Sequence, residues 1–573
     1  MLRETCAIGA VRRCVAAFGF AAWLTLPAAA AADDAVAQGT RGMVASAQRE
    51  ASAAGLDILK AGGNAVDAAV AVGYALAVVD PCCGNIGGGG FMLIRRADGR
   101  TIFVNFRETA PRAATADMYL DKDGNPIRDA SLHGYRAVAV PGTVMGLDLA
   151  LRRYGRLGRA AVMAPAIALA RDGFVLGKPD ADIIARSAAH LAADRGAMRV
   201  FLHADGTPVR AGERLIQADL AATLDHIARD GPDGFYRGPV AAALAQAMAA
   251  NGGLITEADL ADYTATELTP LSCDYRGYHI VSAPPPSSGG TTLCEILGVL
   301  SGWDVATAGF HSPRAAHLAV EAMRRAFFDR NSQLGDPDFI VNPLARLLSA
   351  DYTATIRAGI DPEKAMPSAA LGSPPIAAEK PQTTHYSVVD GDGNAVAVTY
   401  TINGNFGAAV VAPGTGFLLN NEMDDFSIKP GTANMFGLLQ GDANAIQPRK
   451  RPLSSMTPTI VEKDGRPVYV LGSPGGPRII TAVLETVMNL IDFRLEPAAA
   501  VAAPRFHHQY LPDTVLYEKD GLSPQTLSGL TAMGYSLKEQ SPWGAVELIG
   551  IAPGGRFTGV NDPRRPAGAA LGY

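Results

Sequence analysis

The chain alternates between apolar spacing typical of helices and apolar spacing typical of strands. Apolar residues recur every three or four positions in 161–171 and 240–250, which predicts amphipathic helices. An alanine-rich stretch within 42–80 is also predicted to be helical, with a Gly-Gly-Asn break before a helix over 65–79. The segment from about 141 to 251 is therefore expected to be a helical body.

A different pattern follows a proline-rich segment at 360–382, which predicts a loop or boundary. Two β-rich runs, 385–389 and 395–402, are joined by Asp, Gly and Asn residues, which predicts a hairpin. Further strands are predicted at 467–471 and 515–519, and helices at 479–491 and 497–502. The alternation, without an internal repeat, indicates a mixed α/β fold.

The composition indicates a large folded protein that binds small molecules. With 573 residues, 48% hydrophobic and 18% charged, the chain can bury a substantial core and is too apolar to be disordered. Its net charge of −6, without a basic stripe, excludes nucleic acid as an expected partner. Residues 1–32 have a basic start, a short apolar run and a small-residue end. They predict a signal peptide cleaved near Ala32, with export to the periplasm or beyond.

Cysteine spacing leaves two interpretations open. The exported chain would keep Cys82, Cys83, Cys273 and Cys294, and the adjacent first two cannot form a CxxC motif. Cys273 and Cys294 could pair in an oxidising compartment. We expect four buried thiols instead.

The common metal and nucleotide motifs are missing from the sequence. There is no HExxH motif, no GxSxG elbow and no Walker loop, and the pair His507-His508 lacks metal-ligand spacing. The glycine run 87–90 does not fit the dinucleotide fingerprint and predicts a tight turn where two backbones approach closely. We therefore expect no metal and no cofactor.

A candidate nucleophile, Thr383, stands where the proline-rich segment meets the predicted hairpin, in Gln382-Thr383-Thr384-His385-Tyr386. A threonine hydroxyl is a weak nucleophile unless a base lies beside it, and an N-terminal α-amine, with a pKa of about 7.7–8.0, can be that base. Thr383 would carry such an amine only after cleavage of the chain before it.

Polar residues after Thr383 form a second pattern, at the ends of strand-like runs and in turns. Carboxylates and an amide suit an ammonium group, hydroxyls with an arginine suit a carboxylate, and adjacent glycines offer N–H groups to an oxyanion. Together they predict a site for an α-amino acid. The residues concerned are Asn403, Glu422, Asp425, Ser454, Ser455 and Ser473-Pro474-Gly475-Gly476.

These motifs resemble the γ-glutamyltransferase (glutathione hydrolase) family of N-terminal-nucleophile hydrolases, over nearly all of the chain beyond the signal. The motifs that carry the resemblance include Gly62-Gly63-Asn64-Ala65-Val66-Asp67, Gly84-Asn85-Ile86-Gly87-Gly88-Gly89-Gly90-Phe91, Phe106-Arg107-Glu108, Pro284-Pro285-Pro286-Ser287-Ser288-Gly289-Gly290, Gln382-Thr383-Thr384-His385-Tyr386, Asn420-Asn421-Glu422-Met423-Asp424-Asp425-Phe426, Arg451-Pro452-Leu453-Ser454-Ser455-Met456 and Gly472-Ser473-Pro474-Gly475-Gly476.

The resemblance implies an α+β fold, the four-layer αββα sandwich, and a proenzyme that cuts itself between Gln382 and Thr383. The products would be a large subunit, 33–382, and a small subunit, 383–573, which form a heterodimer. It also implies residue roles: Thr383 as nucleophile and base, supported by Thr401; Arg107, Ser454 and Ser455 for the substrate α-carboxylate; Asn403, Glu422 and Asp425 for the α-amino group; Gly475 and Gly476 for the oxyanion.

The activity implied is transfer of the γ-glutamyl group of glutathione and related compounds to water, amino acids or peptides, through a γ-glutamyl-threonine acyl-enzyme. Two alternatives stay open: an acylase or poly-γ-glutamate-processing enzyme on the same scaffold, and a periplasmic amino-acid-binding protein that does not mature. One departure from the family stands in the segment 430–442, which resembles a lid. There Phe436 replaces a common tyrosine, so the ring would cover the site without a hydrogen bond to Asn403.

Overall fold

Two seven-stranded antiparallel sheets form the centre of the molecule in a computed structural model that describes residues 35–372 and 383–573. The strands are β1 (Val36–Gly39), β2 (Gly42–Ser46), β3 (Gly89–Arg95), β4 (Thr101–Phe106), β5 (Phe174–Val175), β6 (Arg214–Leu215), β7 (Thr266–Leu268), β8 (Leu271–Tyr275), β9 (Tyr278–Ser282), β10 (Thr384–Asp390), β11 (Ala395–Thr401), β12 (Thr459–Lys463), β13 (Arg466–Leu471), β14 (Phe506–His507), β15 (Val515–Glu518), β16 (Leu537–Gln540), β17 (Leu548–Ile551), β18 (Phe557–Val560) and β19 (Ala569–Gly572).

Helices cover both outer faces of these sheets, and α3 to α10 lie between β4 and β7 along the chain. They are α1 (Arg49–Lys60), α2 (Ala65–Val79), α3 (Thr143–Tyr154), α4 (Arg159–Asp172), α5 (Lys178–Leu191), α6 (Arg195–Phe201), α7 (Ala218–Asp230), α8 (Asp233–Tyr236), α9 (Gly238–Ala250), α10 (Glu257–Ala261), α11 (Gly289–Leu300), α12 (Val305–Ala308), α13 (Pro313–Gln333), α14 (Leu344–Leu347), α15 (Ala350–Ala358), α16 (Arg478–Ile491), α17 (Pro497–Ala502) and α18 (Pro524–Ala532). Short 3₁₀ helices span Tyr135–Ala137, Ser368–Ala370, Glu422–Asp425 and Asp442–Asn444.

The alternation of side chains along the strands produces four layers. Successive residues of a strand point to opposite faces. In β3, Phe91 and Leu93 join an apolar cluster that also contains Val470 from the other sheet, while Met92 and Ile94 join a cluster with α1 to α4. A third cluster packs α11, α13 and α16 on the outer face of the second sheet. This arrangement confirms the predicted four-layer αββα sandwich.

One sheet interleaves strands from the part of the chain before residue 382 with strands from the part after it. Its order is β19-β2-β10-β11-β3-β4-β7, so β10 lies between β2 and β11, and β11 pairs with β3. The backbone hydrogen bonds of this sheet therefore join the segments before and after Thr383. A cut at that residue would leave the two pieces held together by the sheet.

Most elements predicted from the sequence are present. The hairpin forms β10 and β11, and the helices predicted at 161–171, 240–250, 479–491 and 497–502 are α4, α9, α16 and α17. Asn64, which the sequence placed in the break between two helices, caps the start of α2, since its side-chain oxygen accepts hydrogen bonds from the N–H groups of Val66 and Asp67.

The structure differs from the sequence prediction in the stretch 42–80 and in the proline-rich segment. The stretch 42–80 begins with a strand, because the short buried run of β2 has no helical period to distinguish it. The proline-rich segment is irregular over 360–372 apart from one 3₁₀ turn, and it marks no domain boundary because strands on both sides share a sheet.

Residues 373–382 and the predicted signal peptide, 1–32, lie outside the described residues. Within the described ranges, no helix has the length and apolar character to cross a membrane.

The expectation of four buried thiols is wrong. Cys273 is bonded to Cys294, and Cys82 is bonded to Cys83. Packing of α11 against the β8–β9 edge brings the Cα atoms of Cys273 and Cys294 to 5.9 Å, which suits a disulfide. Cysteine spacing along the chain contains no information about this approach, although it had left the pairing open.

Replacement of Cys273 and Cys294 by alanine should lower the stability by about 2–4 kcal/mol, because the disulfide restricts a loop in the unfolded chain. The matched control replaces Cys82 and Cys83 by alanine; neighbours in sequence close almost no loop, so the loss should be smaller. Thermal unfolding followed by circular dichroism measures both. Reactive thiols at Cys273 and Cys294 in the denatured, unreduced protein would contradict the pairing.

Candidate active site

Thr383 lies immediately before β10 and is buried, with 4% of its surface exposed. Thr384 pairs with Tyr400 across β10 and β11, so continuing the register sets Thr383 opposite Thr401, the last residue of β11. The two threonines predicted to cooperate are thus brought to the same end of a central hairpin.

The glycine run before β3 permits a close approach to Thr401. A Cβ atom on Gly88 would lie 1.8 Å from the Thr401 carbonyl oxygen, and one on Gly87 would lie 2.0 Å from the Leu418 carbonyl oxygen. Any side chain at these positions would clash with backbone. The run therefore serves the close packing of backbones around the site, as the sequence predicted.

Asn403 follows β11 in a left-handed conformation, with φ of 73°. Its N–H donates a hydrogen bond to the Thr401 side-chain oxygen (2.8 Å), and its side-chain amide donates to the Asn421 carbonyl oxygen (3.0 Å). These bonds fix the turn that leads from the hairpin to the segment containing Glu422 and Asp425.

One cavity collects almost all the predicted site residues. Of the residues to which the family resemblance gave roles, all line it except Arg107, which contacts Glu422 and Asp425, and Gly475, which precedes Gly476 in the chain. The cavity is lined by Arg330, Thr383, Thr401, Asn403, Glu422, Asp425, Phe436, Leu438, Leu453, Ser454, Ser455, Met456, Gly476, Pro477 and Ile479.

Arg107 lies behind the cavity wall, fully buried, at the centre of an acidic cluster. Its guanidinium donates hydrogen bonds to Glu422 and Asp425 and to the Pro452 carbonyl oxygen (3.1 Å). A Glu108 carboxylate oxygen lies 3.6 Å from Arg107 Nη1. The ammonium and carboxylate of an α-amino acid share one carbon, so their partners must be neighbours. The contact between the groups predicted for the two functions meets that requirement.

Two carboxyl groups of this cluster, those of Glu108 and Glu422, have raised pKa values. Burial raises the pKa of Glu108 to about 7, although Arg107 opposes the shift. Burial likewise raises the pKa of Glu422 well above its usual value, against the effect of Arg107. The buried carboxyls of Glu108 and Glu422 lie beside the same guanidinium, and burial favours the protonated form of each. Glu108 received no role from the sequence, although it belongs to the motif that contains Arg107.

Gly475 and Gly476 precede α16 and have φ values of 136° and 56°. Both values lie in the left-handed region that favours glycine. The N-terminal end of a helix provides N–H groups and a positive partial charge, which suits a developing oxyanion. The local geometry is consistent with the role predicted for this pair.

Phe436 covers Gly476. A Cβ atom on Gly476 would lie 2.8 Å from the Phe436 ring, which is itself buried. The segment is held in place on both sides of the ring: the Met435 N–H donates to the Asp424 carboxylate (2.9 Å), and the Gln509 side chain donates to the Phe436 carbonyl oxygen (3.1 Å). The covering position predicted for this residue is therefore present without a tyrosine hydroxyl.

Arg330 is the lining residue that the sequence interpretation missed. It extends from α13 into the cavity, where Ser455 and Ser288 accept its hydrogen bonds. On α13 it continues the row of core residues Met323 and Phe327 at spacings of four and three. A charged residue on the apolar face of a helix was the available signal.

One group of three possible metal ligands occurs among the described residues: Asp80, Cys82 and Cys83. The two sulfur atoms are bonded to each other and so are not thiolate ligands. The histidine pair His507-His508 is buried, and its members hydrogen-bond with Thr481, Gln509 and Asp513.

The comparison with known proteins agrees with this geometry. The profile of the gamma-glutamyltranspeptidase family matches residues 51–572. The chain belongs to this family.

Individual relatives match over almost the whole length. The glutathione hydrolase proenzyme of Pseudomonas sp. (strain A14) is 54% identical over 554 residues, covering 95% of this chain and 96% of the relative. That of Escherichia coli (strain K12) is 50% identical over 534 residues, with 93% and 92% covered. Among solved structures, a cephalosporin acylase from Bacillus halodurans superposes with a TM-score of 0.83 at 29% identity, covering 94% of this chain and 97% of the acylase.

The acidic side of the pH profile tests the identity of the general base. An α-amine must be neutral to accept the Thr383 proton, so kcat/KM should fall as pH drops through the pKa of that amine, about 7.7–8.0 before any perturbation. Burial lowers the pKa of His385 to about 3, and burial, assisted by Arg478, lowers that of His507 to about 3. Both histidines are therefore neutral throughout that range and cannot produce the fall.

The variants His385→Gln and His507→Gln should consequently keep the acidic limb. The measurement is kcat/KM between about pH 5 and 9, with chain cleavage checked by electrophoresis. Disappearance of the limb in either variant, with cleavage complete, would identify a histidine as the base.

Proposed function

We propose that this protein is a self-cleaving γ-glutamyltransferase with glutathione hydrolase activity. It transfers the γ-glutamyl group of glutathione and related compounds to water or to an amino acid or peptide. The observation that carries the proposal is the occurrence, in one cavity, of a threonine at a strand start with groups suited to both ends of an α-amino acid.

Maturation and catalysis use the same hydroxyl in this scheme. The Thr383 oxygen attacks the preceding carbonyl carbon, the peptide bond to Gln382 becomes an ester, and water hydrolyses that ester. Formation of the ester breaks the carbon–nitrogen bond and frees the α-amine of Thr383, which catalysis then needs as its base. Hydrolysis of the ester frees the Thr383 hydroxyl and leaves Gln382 with a carboxylate. The relatives named as proenzymes support cleavage of this chain into two subunits. In the sheet that contains β10 and β11, strands from both subunits are hydrogen-bonded to each other, which supports a heterodimer of the two subunits.

Catalysis proceeds through an ester. The Thr383 oxygen attacks the γ-amide carbon of the donor while the α-amine takes the hydroxyl proton, and the N–H groups of Gly475 and Gly476 stabilise the oxyanion. When the carbon–nitrogen bond breaks, the proton passes to the leaving amine, which for glutathione is cysteinylglycine. Water or an acceptor amine then attacks the ester, and its proton is returned through the α-amine to the Thr383 oxygen.

The charged residues favour a free γ-glutamyl head group over the acylase alternative. Arg107, Ser454 and Ser455 would hold the α-carboxylate, and Asn403, Glu422 and Asp425 the α-amino group. A donor that lacked the amino group could not form the charge-assisted hydrogen bonds that an ammonium would give to Glu422 and Asp425. The likeness to an acylase supports the shared scaffold.

We also propose that the protein is exported and acts in the periplasm or outside the cell. The basic and apolar pattern of residues 1–32 supports this. The two disulfides also support it, because structural disulfides persist in oxidising compartments.

Thr383→Ala should leave one uncut chain without transferase activity, because both reactions need that hydroxyl. The matched control is Thr384→Val, which removes the neighbouring hydroxyl but not the nucleophile and should be cleaved and active. Denaturing electrophoresis with N-terminal sequencing measures this: the wild type should give a large chain beginning near Asp33 and a small chain beginning at Thr383. A Thr383→Ala protein that still splits would contradict the proposal.

The donor preference of the cleaved wild type separates the transferase from the acylase. We expect kcat/KM for γ-glutamyl-p-nitroanilide to exceed that for glutaryl-p-nitroanilide, which lacks only the α-amino group, by at least about tenfold. Preference for the glutaryl donor would favour the acylase. An uncut wild-type chain that binds glutamate would favour the binding protein.

A further inference from the structure

We propose that Arg330 is a positioning residue for the α-carboxylate subsite. Through Ser455 and Ser288 it orients the consecutive serines that receive the donor carboxylate, and it gives that subsite a buried positive charge. The inference rests on the function proposed above, and it concerns a residue outside every motif that assigned the site.

Arg330 reaches the cavity from α13 and is 1% exposed. Its Nη2 donates a hydrogen bond to Ser455 Oγ (3.0 Å), and its Nε donates one to Ser288 Oγ (3.0 Å). Ser288 Oγ in turn donates to the Ser454 carbonyl oxygen (2.6 Å). One guanidinium therefore holds Ser455 through its hydroxyl and Ser454 through its backbone.

The bond to Ser455 determines what that hydroxyl offers the cavity. A guanidinium has donors only, so the Ser455 oxygen must accept from Arg330, and its own proton stays available for a second partner. Ser455 lines the cavity and is 8% exposed. A substrate carboxylate is the acceptor that this proton would meet. The chain from guanidinium to hydroxyl to carboxylate strengthens the second bond, because a donated bond polarises the hydroxyl.

The charge of Arg330 has no acidic partner in direct contact. Its hydrogen-bond acceptors are all neutral: Ser288, Ser455, Asn331 and Gln440. Among the described residues no carboxylate forms an ion pair with it. Burial lowers the pKa of Arg330 to about 10, with Arg107 acting in the same direction and Asp425 opposing. A buried cation without a carboxylate in direct contact is costly, so an anionic ligand in this cavity would be favoured.

Two other arginines of the same helix show the contrast. Arg324 pairs with Glu321 and Asp513, and Arg325 pairs with Glu321 (2.6 Å). Their charges are neutralised by carboxylates, and neither residue lines the cavity. Arg330 differs from both by its position at the site and by its neutral partners. Arg325 therefore provides a matched control.

The test measures kcat and KM for γ-glutamyl-p-nitroanilide with the cleaved enzyme. Arg330→Gln should raise KM about ten- to a hundredfold with a smaller change in kcat, because a lost charge-assisted interaction weakens ground-state and transition-state binding alike. Arg325→Gln should lower the melting temperature, since it leaves Glu321 with one partner fewer, but should not change KM. A purely structural role for Arg330 would change stability in both variants and KM in neither.

A double-mutant cycle tests the route through Ser455. Ser455→Ala should raise KM by a similar factor. The double variant Arg330→Gln/Ser455→Ala should have a KM only slightly above that of the single variant with the higher KM. Independent, additive effects would overturn the proposed relay.

Arg330→Lys is the second variant to measure if the Arg330→Gln protein does not fold or does not cleave its own chain. Lysine keeps the charge but cannot bond both serines in the fixed geometry of a guanidinium, so KM should still rise several-fold. An unchanged KM in Arg330→Lys would overturn the inference while leaving the proposed function intact. A cleaved wild type that releases no γ-glutamyl group would instead overturn the proposed function.

Discussion

The structure depends on the position of Thr383 at the start of a strand in the middle of a sheet. β10 pairs with β2 on one side and with β11 on the other, so the chain before and after the predicted cut is joined by a continuous hydrogen-bond ladder. This constraint allows a peptide bond to break without separation of the pieces. It would also fix in place the N-terminus that a cut before Thr383 creates, because Thr384 is already part of the ladder. A nucleophile and base on one residue need that rigidity.

The second constraint is electrostatic. One buried cluster joins two distant parts of the chain, Arg107 with Glu108 and Glu422 with Asp425. Burying these charges costs solvation energy that their mutual contacts offset only in part. Such an arrangement suits a zwitterionic ligand, which brings one charge of each sign. Arg330 supplies a second buried positive charge on the other side of the carboxylate subsite, where its hydrogen-bond acceptors are hydroxyl and side-chain amide oxygens. The cavity thus has an acidic side and a side that offers donors.

Local pattern was sufficient for most of the predicted elements and insufficient for their contacts. The hairpin of β10 and β11 was predictable because turn residues separate two runs of β-branched residues, and the glycine run was correctly attributed to close packing of backbones. β2 was missed because a five-residue buried run has no period that separates strand from helix. The Cys273–Cys294 bond and the position of Arg330 both arise from packing of helices on the second sheet, which no local spacing encodes. The family resemblance, and not the spacing, suggested that Arg107 and Glu422 meet.

The central claim is that Thr383 carries the γ-glutamyl group during turnover. The most direct measurement is to quench the wild-type enzyme with acid during turnover of a γ-glutamyl donor, digest it, and map the modified peptide by mass spectrometry. The account predicts that the peptide beginning at Thr383 gains the mass of one γ-glutamyl group, and that Thr383 is its first residue. The γ-glutamyl group on any other peptide, or turnover by a chain that is still continuous through Thr383, would contradict it.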